Sequence, residues 1–455
     1  MADGSSTSAI RLGSRLEVER AVDSISSLPD VILQHILSFV PTKLAIGTSL
    51  LLTRWRHVWC DLPSLPFCAK TQTAASINET LTLYTAPKMM DFHLKNITKQ
   101  HIRHLDMWIK FAMSHNVENL SLDINSCGII NDVEYKFPDF FFINSSVKQL
   151  SIRSIFDYNI IPKCSVSWTS LKKLCLDNCV LSEESMAKII SGCPFLESLS
   201  LYFCNNLKVL DLSKSLRLRA LEVSFIVSVT EIVAPHTHYL RLRNSQLSRT
   251  LVDAASLTHA NLDICFFSIY STFEADIFQA NVLKMLGNFQ NVEKLTFGGN
   301  LLQVLSLAEV LGVPFPKFKF KALTFETVIF RYVIPGIERL LQNSPDLEKL
   351  TLRARDCNTI KEDNLDHYLN SRGLDKDQCW RSKDGVSWNK SRWNVEVKHV
   401  VSLVELVFKN AMTLDKMVVL LNQRYLRHIF EDLVPTFSHN NNVFISLSTN
   451  TPEAW

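Results

Sequence analysis

A short leucine motif recurs along the middle of the chain and constrains the fold more than any other feature. The motif is L-x-x-L-x-L with Asn or Cys three residues after its last position, as in Leu171-Lys-Lys-Leu-Cys-Leu leading to Cys179. One such unit cannot bury its own leucines, so the units must stack on one another. Full or near-full copies start at Val117, Leu171, Leu196, Leu257 and Val292, and weaker copies at Val147, Leu207, Leu218, Thr237, Phe320 and Leu347.

The context of the motif repeats as well. Residues 186–201 align without gaps on residues 337–352, and in both an amphipathic helix precedes the motif. We expect the helices to end at Gly192 and Asn343 with a positive φ, a backbone conformation that Gly and Asn tolerate. The motif itself then forms a short buried strand that includes Leu199 or Leu350. The pattern predicts an α/β leucine-rich-repeat solenoid, or horseshoe, with parallel strands along its concave face.

The spacing of the motif is irregular at one place. The copies at Leu207 and Leu218 follow their predecessors by only 11 residues each, and together they make one ordinary turn. Residues 207–212 are therefore either a strand on the returning side of the solenoid or a false match.

Composition and motifs argue against catalysis. The 48 basic and 45 acidic residues leave a net charge of +3, which does not favour a nucleic-acid or membrane-surface binder. Only 12 of the 455 residues are Gly, and the sequence contains no phosphate-binding glycine loop, nucleophile elbow or metalloprotease motif. Cys175 and Cys179 have no matched second pair at zinc-site spacing, so we interpret them as core thiols. We expect no catalytic residues, no metal and no cofactor.

The chain divides into regions of different character. Residues 1–22 are small and polar and are expected to be a disordered tail, without the apolar core of an export signal. No apolar run reaches the ~18 residues of a membrane span. We therefore expect a cytoplasmic or nuclear protein with reduced thiols.

Residues 23–67 form a dense apolar segment with two possible roles. Leu28 to Pro41 reads as a helix whose apolar positions Ile32, Leu33, Ile36, Leu37 and Val40 form one broad stripe. So short a segment has little room for a core of its own. The helices could close the N-terminal end of the solenoid, or they could dock onto a partner protein.

This segment resembles the F-box of plant F-box/leucine-rich-repeat proteins. The similarity rests on Leu28-Pro-Asp, Ile36-Leu-Ser-Phe-Val-Pro-Thr-Lys43, Arg54-Trp-Arg and Trp59-Cys-Asp-Leu-Pro63. The resemblance implies a non-catalytic subunit of a Skp–cullin–F-box ubiquitin ligase, in which the F-box binds the Skp adaptor and the repeats at 68–355 bind a protein substrate. By position, the adaptor-facing residues would be Leu28, Pro29, Ile32, Leu33 and Ile36, with Trp55 bracing the helices. The alternatives are a scaffold or ligand-sensing protein whose helices mainly cap the solenoid.

One column of repeat residues is a candidate substrate surface. The residue after the last apolar motif position should face the concave side, and this column includes Arg153, Asp177, Tyr202, Arg243, Asp263 and Arg353. A nucleic acid would need a patch of one sign. The mixed signs in the column favour a protein surface or peptide.

The C-terminal part has two predicted regions. Residues 356–395 are rich in charge and carry tryptophans at 380, 388 and 393. They read as an exposed linker or insertion, with a tryptophan-anchored binding loop as the alternative. Residues 396–455 contain Leu403 to Met417, which resembles the FBD module that often closes these plant proteins. We expect a small α+β cap there, with Val443, Ile445 and Leu447 alternating along a strand.

Overall fold

The first three helices precede the strands, and the later helices alternate with them. The computed structural model describes residues 25, 27–40, 42–48, 55–125, 135–224, 229–244, 251–264, 275–289, 291–354, 359–382, 385–390, 395–422, 427–437 and 442–448. None of the helices in these ranges combines the length and the apolar character that crossing a bilayer requires. The helices are α1 (Asp30–Ser38), α2 (Thr42–Gly47), α3 (Trp55–Val58) with a 3-10 turn at Trp59–Asp61, α4 (Ala74–Leu83), α5 (Lys99–Ser114), α6 (Asp139–Phe142), α7 (Glu183–Ser191), α8 (Ala275–Asn288), α9 (Gly299–Val310), α10 (Ile334–Gln342), α11 (Glu362–Ser371), α12 (Lys376–Cys379), α13 (Val397–Asn410) and α14 (Arg427–Phe437).

The strands form one long parallel sheet and two small ones. Those of the long sheet follow one another in chain order, as successive turns of a solenoid require. They are β1 (Ser64–Cys68), β2 (Asp91–Ile97), β3 (Asn119–Ile124), β5 (Gln149–Asn159), β7 (Lys173–Val180), β8 (Ser198–Tyr202), β10 (Ala220–Ser224), β12 (Tyr239–Asn244), β14 (His259–Ile264), β15 (Lys294–Gly298), β16 (Ala322–Glu326), β17 (Lys349–Ala354), β18 (Lys416–Asn422) and β19 (Val443–Ser448). The remaining strands are β4 (Ile143–Asn144), β6 (Ser167–Trp168), β9 (Val209–Asp211), β11 (Glu231–Val233) and β13 (Leu251–Asp253).

The repeat frame read from the sequence is confirmed by the register of the sheet. Leu174 on β7 aligns with Leu199 on β8, and Leu199 aligns with Leu221 on β10. Leu199 and Leu350 are both fully buried. Because side chains alternate along a strand, the other positions form a second face, which we call the open face of the sheet. This face corresponds to the predicted concave surface.

The irregular spacing of the motif after Leu196 arises because residues 209–211 form a strand that is not part of the long sheet. Val209–Asp211 pairs in parallel with Glu231–Val233, which pairs in turn with Leu251–Asp253. These strands form a three-stranded sheet separate from the long one. The interpretation of residues 207–212 as a strand on the returning side is confirmed.

The predicted positive φ at the helix ends is wrong. Gly192 has a φ of −83° and Asn343 a φ of −100°, so both helices end in ordinary right-handed geometry. Gly192 is required for a different reason, which is close packing. A Cβ at this position would lie 2.4 Å from the carbonyl oxygen of Val166, well inside contact distance.

Residues 359–390 are not the exposed linker that their charge suggested. Leu365 and Leu369 of α11 are fully buried, and Trp380 and Trp388 are only 5% and 8% exposed. Gln303 of α9 exchanges two hydrogen bonds with the backbone of Ile360, at 2.7 and 3.1 Å. The segment therefore packs on the outer helices of the solenoid. Trp393 lies outside the described residues.

The packing of residues 359–390 on the solenoid explains an unusual feature of helix α9, which is buried on all sides. Every residue from Gly299 to Ala308 of α9 is buried, although a surface helix normally keeps one polar face in water. The side chains of Leu301, Leu302, Val304, Leu305, Leu307 and Ala308 cover most of the circumference of the helix, and Asn300, Gln303 and Ser306 on the remaining side are buried as well. Such a helix needs a second layer of protein outside it, and residues 359–390 supply part of that layer.

The C-terminal region continues the architecture of the repeats. Helix α13 precedes β18, which pairs in parallel with β17, and β19 pairs in parallel with β18. Leu403, Leu406, Val407, Leu414 and Met417 are buried, as predicted for a helix followed by a strand. The boundary predicted at residue 396 is therefore not a change to a separate α+β cap. The likeness of this region to an FBD module stays a prediction.

Candidate functional site

The N-terminal helical unit, which comprises the described residues 27–40, 42–48 and 55–62, has a small hydrophobic core of its own. Leu33 and Leu37 of α1 pack with Ala45, Trp55 and Trp59, and these residues form a cluster separate from the core of the repeats. Trp55 is 6% exposed, as expected for a residue that braces the helices. Leu33 is fully buried, so its prediction as an adaptor-facing residue is wrong.

The same unit turns several large apolar side chains outward. Val31, Ile32 and Ile36 of α1, Phe39 directly after α1 and Leu44 of α2 are between 41% and 77% exposed. We call these five residues the apolar patch. Clustered exposed apolar side chains of this size are typical of a surface that another protein covers.

The structure divides the predicted adaptor-facing residues into two groups. Pro29, Ile32 and Ile36 are exposed, whereas Leu28 is half-buried against the small core. The predicted single stripe is in fact two i, i+4 pairs, since Leu33 and Leu37 point inward while Ile32 and Ile36 point outward. Both pairs are apolar, so periodicity alone could not tell the two faces apart.

Sequence reasoning missed Val31, Phe39 and Leu44. A signal for them was present, because an apolar residue also occupies positions 31 and 39, on the side of α1 that carries Ile32 and Ile36. These residues complete the patch around the predicted ones.

Polar contacts join the N-terminal helical unit to the first turns of the sheet. The hydroxyl of Thr42 donates to the carbonyl oxygen of Pro66 on β1 at 2.7 Å. Tyr84 Oη donates to the carbonyl of Leu62 at 2.9 Å, and burial raises the pKa of this phenol. Because β1 begins at Ser64, the solenoid sheet starts slightly before the predicted boundary at residue 68.

The open face of the sheet carries the predicted substrate column as one continuous row. Asp123, Arg153, Asp177 and Tyr202 occupy equivalent positions on β3, β5, β7 and β8. Arg243 and Asp263 follow on β12 and β14, and Arg353 aligns with Glu326 at the other end. All six predicted residues are brought together as members of this row, although Ser224, Gly298 and Glu326 lie between some of them.

The charges of this row largely pair with one another. Arg153 Nε lies 2.9 Å from Asp177 Oδ2, and Arg243 Nε lies 3.2 Å from Asp263 Oδ2. Arg353 Nη1 lies 2.8 Å from the carboxylate of Glu326, whose side chain is 7% exposed. Pairs along the row reduce the charge that it offers to a ligand.

Burial changes the ionisation of two residues in the row. Desolvation raises the pKa of Asp177, and the charge of Arg153 only partly offsets this effect. Tyr202 Oη donates to Glu222 Oε2 at 2.5 Å, and burial followed by this carboxylate raises the pKa of the phenol. Tyr202 is therefore a neutral side chain already hydrogen-bonded to its neighbour.

Two further rows of the open face were not read from the sequence. The middle position of each strand also faces outward, and it is Thr296, Thr324 and Thr351 on β15, β16 and β17. The first position is Lys294 on β15 and Lys349 on β17, with Ala322 between them. The repeat frame contained both rows, because every position between two buried strand residues faces the same way.

Cys175 and Cys179 of β7 are half-buried and buried, respectively. In the described ranges no group of three or more His, Cys, Asp or Glu side chains could hold a metal ion. Burial raises the pKa of Cys175 to about 11. A hydrogen bond with Cys204, together with burial, raises the pKa of Cys179. Both thiols are therefore protonated at neutral pH, and a protonated thiol is a poor metal ligand or nucleophile.

Comparison with known proteins agrees with this architecture. Residues 85–444 match the family described as "At1g61320/AtMIF1, LRR domain". The F-box/LRR-repeat protein At5g02910 of Arabidopsis thaliana is 49% identical over 93% of this chain and 94% of its own length. At3g18150 of Arabidopsis thaliana, also named for an F-box and leucine-rich repeats, is 56% identical over the full length of both chains. The chain therefore belongs to the family of plant F-box/leucine-rich-repeat proteins.

Proposed function

We propose that this protein is the substrate-binding subunit of a Skp–cullin–F-box ubiquitin ligase. In this proposal the apolar patch binds the Skp adaptor and the open face of the sheet binds a protein substrate. The protein itself carries out no catalytic step, and it works in the cytoplasm or the nucleus. The names of its relatives, which refer to an F-box and leucine-rich repeats, support the assignment.

The observation that carries the proposal is the outward direction of the apolar patch. A helix that served mainly to close the solenoid would turn its apolar residues toward the repeats. Here the buried residues of α1 belong to a separate small core, while Ile32 and Ile36 remain more than 40% exposed. Apolar side chains on a preformed helix are suited to a groove on a partner, because little conformational entropy is lost on binding.

The experiment replaces the two central residues of the patch. Ile32→Lys combined with Ile36→Lys should abolish co-purification with the Skp adaptor, since each central anchor of an interface is worth about 2 kcal/mol, or roughly 30-fold in affinity. The melting temperature should stay unchanged, because both residues are exposed. Leu216→Lys is the matched control, since Leu216 is 66% exposed and lies outside the patch.

The results separate the two roles of the helices. Leu33→Ala should lower the stability of the N-terminal helical unit, because Leu33 is part of its core. If the double lysine variant retains the adaptor, or if the melting of the repeats collapses with it, the patch is not an adaptor surface and the proposal fails.

A further inference from the structure

The open face changes character toward its C-terminal half. On β3, β5, β7 and β8 the middle row consists of Ser121, Ser151, Cys175 and Ser200, none of which is charged at neutral pH. On β12 to β17 the face forms a depression of about 460 Å³. Its lining includes Arg241, Lys294, Lys349 and Arg353 and only one carboxylate, that of Glu326. We call this depression the lysine trough.

The one carboxylate that lines the trough, that of Glu326, already forms an ion pair with an arginine. Glu326 is held by Arg353 at 2.8 Å, so it does not neutralise the lysines. Glu293 and Glu348 directly precede Lys294 and Lys349, but they lie just outside β15 and β17 and do not line the trough. Glu293 is moreover 3.6 Å from Lys321. The trough therefore carries excess positive charge.

The lysines are also placed next to like charge. Lys349 aligns with Lys416 on β18, and like charges on adjacent strands destabilise a sheet. Lys416 Nζ lies 4.3 Å from the centre of the Phe444 ring. The aligned lysines therefore add to the positive charge at this end of the open face.

The floor of the trough supplies hydrogen-bonding groups. Thr296, Thr324 and Thr351 stand in register and are half-buried, with Ala322 leaving space between the lysines. Burial, and next the charge of Lys294, lower the pKa of His259 at the edge of the trough, so this imidazole is neutral at neutral pH. Lysine ammonium groups above a floor of hydroxyls match carboxylates on an extended chain.

We propose that the lysine trough binds an acidic segment, rich in Asp and Glu, of the protein substrate. The inference rests on the proposed function, because it names the class of substrate that the open face takes. Lys294 and Lys349 are two strands apart, or about 10 Å. Three residues of an extended polyproline-II-like chain cover about 9 Å and return to the same side, so carboxylates spaced by three residues reach both lysines.

The test measures peptide binding to the full-length protein. A fluorescein-labelled peptide of four Glu-Ser-Gly repeats is compared with the same peptide carrying Gln in place of Glu, by fluorescence anisotropy. Only the Glu peptide should bind, and its affinity should fall steeply between about 50 and 200 mM salt, because exposed charges are screened. Lys294→Glu combined with Lys349→Glu should weaken binding by about tenfold or more.

A matched control exists in the same row of the sheet. Lys173 is exposed at the equivalent first position of β7, in the half of the open face whose middle row is uncharged. Lys173→Glu should leave the dissociation constant within about twofold, since a distant surface charge is screened. The double variant should melt at or above the original temperature, because Glu at position 349 would face Lys416.

Each other outcome overturns the proposal in a defined way. Equal binding of the Glu and Gln peptides, or binding of neither, removes the acidic ligand. Binding of only a phosphoserine version of the peptide replaces carboxylate by phosphate recognition. Tighter binding of a uridine oligonucleotide, lost in the double variant, makes the trough a nucleic-acid site. If the Skp adaptor still co-purifies in these cases, only this inference fails and the proposed function stands.

Discussion

Asp366 is the polar centre that holds the segment 359–390 on the solenoid. Its carboxylate, 14% exposed, lies 3.5 Å from Arg331 Nη2, and the Arg331 side chain is 8% exposed. Tyr332 Oη and Trp380 Nε1 also donate to Asp366 Oδ1, each at 3.2 Å. Removing this carboxylate by Asp366→Ala therefore takes away an acceptor that a buried guanidinium and two further donors share.

The expected loss of unfolding free energy follows from the polar groups that lose the carboxylate of Asp366. Breaking a buried ion pair by deleting one partner costs about 3–5 kcal/mol. The carboxylate of Asp377, 3.6 Å from Arg331 Nη1, partly compensates, but it is 62% exposed and strongly screened. We therefore expect Asp366→Ala to cost about 3 kcal/mol, at the lower end of this range. Asp366→Asn should cost less, because its amide oxygen still accepts from Tyr332 and Trp380.

Two measurements check this prediction. Denaturant unfolding gives the loss of stability, and limited proteolysis of residues 359–390 shows whether the loss begins there. Asp363→Ala is the control on the same helix, since Asp363 is exposed in the first turn and should cost at most about 0.5 kcal/mol. If Asp366→Ala and Asp363→Ala unfold alike and the segment is cut equally fast in both, the polar centre does not hold the segment.

Three further predictions concern the repeats. Leu199→Ala should cost about 2–5 kcal/mol by denaturant unfolding, because Leu199 is fully buried, whereas Leu216→Ala at an exposed site should change stability by less than about 0.5 kcal/mol. Phe203→Asn should keep or raise the melting temperature, because Phe203 is 43% exposed and has a φ of 51°, a left-handed conformation that Asn tolerates better than Phe. The preceding repeat already has Asn178 at the equivalent position, with a φ of 55°. A truncation ending at residue 399 should aggregate in size-exclusion chromatography, because it uncovers β17, which pairs with β18; a soluble truncation that melts at the full-length temperature would contradict this.

The repeats could be predicted from the sequence because the same pattern of leucines recurs in each turn of the solenoid. The motif leucines must align if they are to share one core, so the register from Leu174 to Leu221 follows once the frame is known. The row from Arg153 to Arg353 follows from the same frame. Pairing within that row could not be read, because the distance between side chains on neighbouring strands depends on their rotamers.

Predictions from the sequence were wrong where the burial of a side chain depends on distant parts of the chain. The charges of residues 359–390 suggested solvent exposure, but Asp366 of this segment pairs with the buried Arg331 of the repeats. The apolar residues around most of the circumference of α9 were the signal that something must cover this helix. In α1 the two faces carry equally apolar residues, and only Trp55 and Trp59, contributed by the end of the same unit, determine which face is inside.

The half of the solenoid whose outer helices are covered by residues 359–390 also carries the lysine trough. Lys294 stands on β15, which leads directly into the buried helix α9, and Lys349 stands on β17. Gly336 of α10 lies so close to α9 that a Cβ there would be 2.6 Å from the carbonyl oxygen of Leu302. Tight packing behind these strands, closed on the outside by residues 359–390, fixes the positions of the lysine backbones. A binding surface on rigid elements loses less entropy when a flexible acidic segment is ordered on it. In the proposed mode of binding, the outer layer therefore contributes to recognition at the open face without touching it.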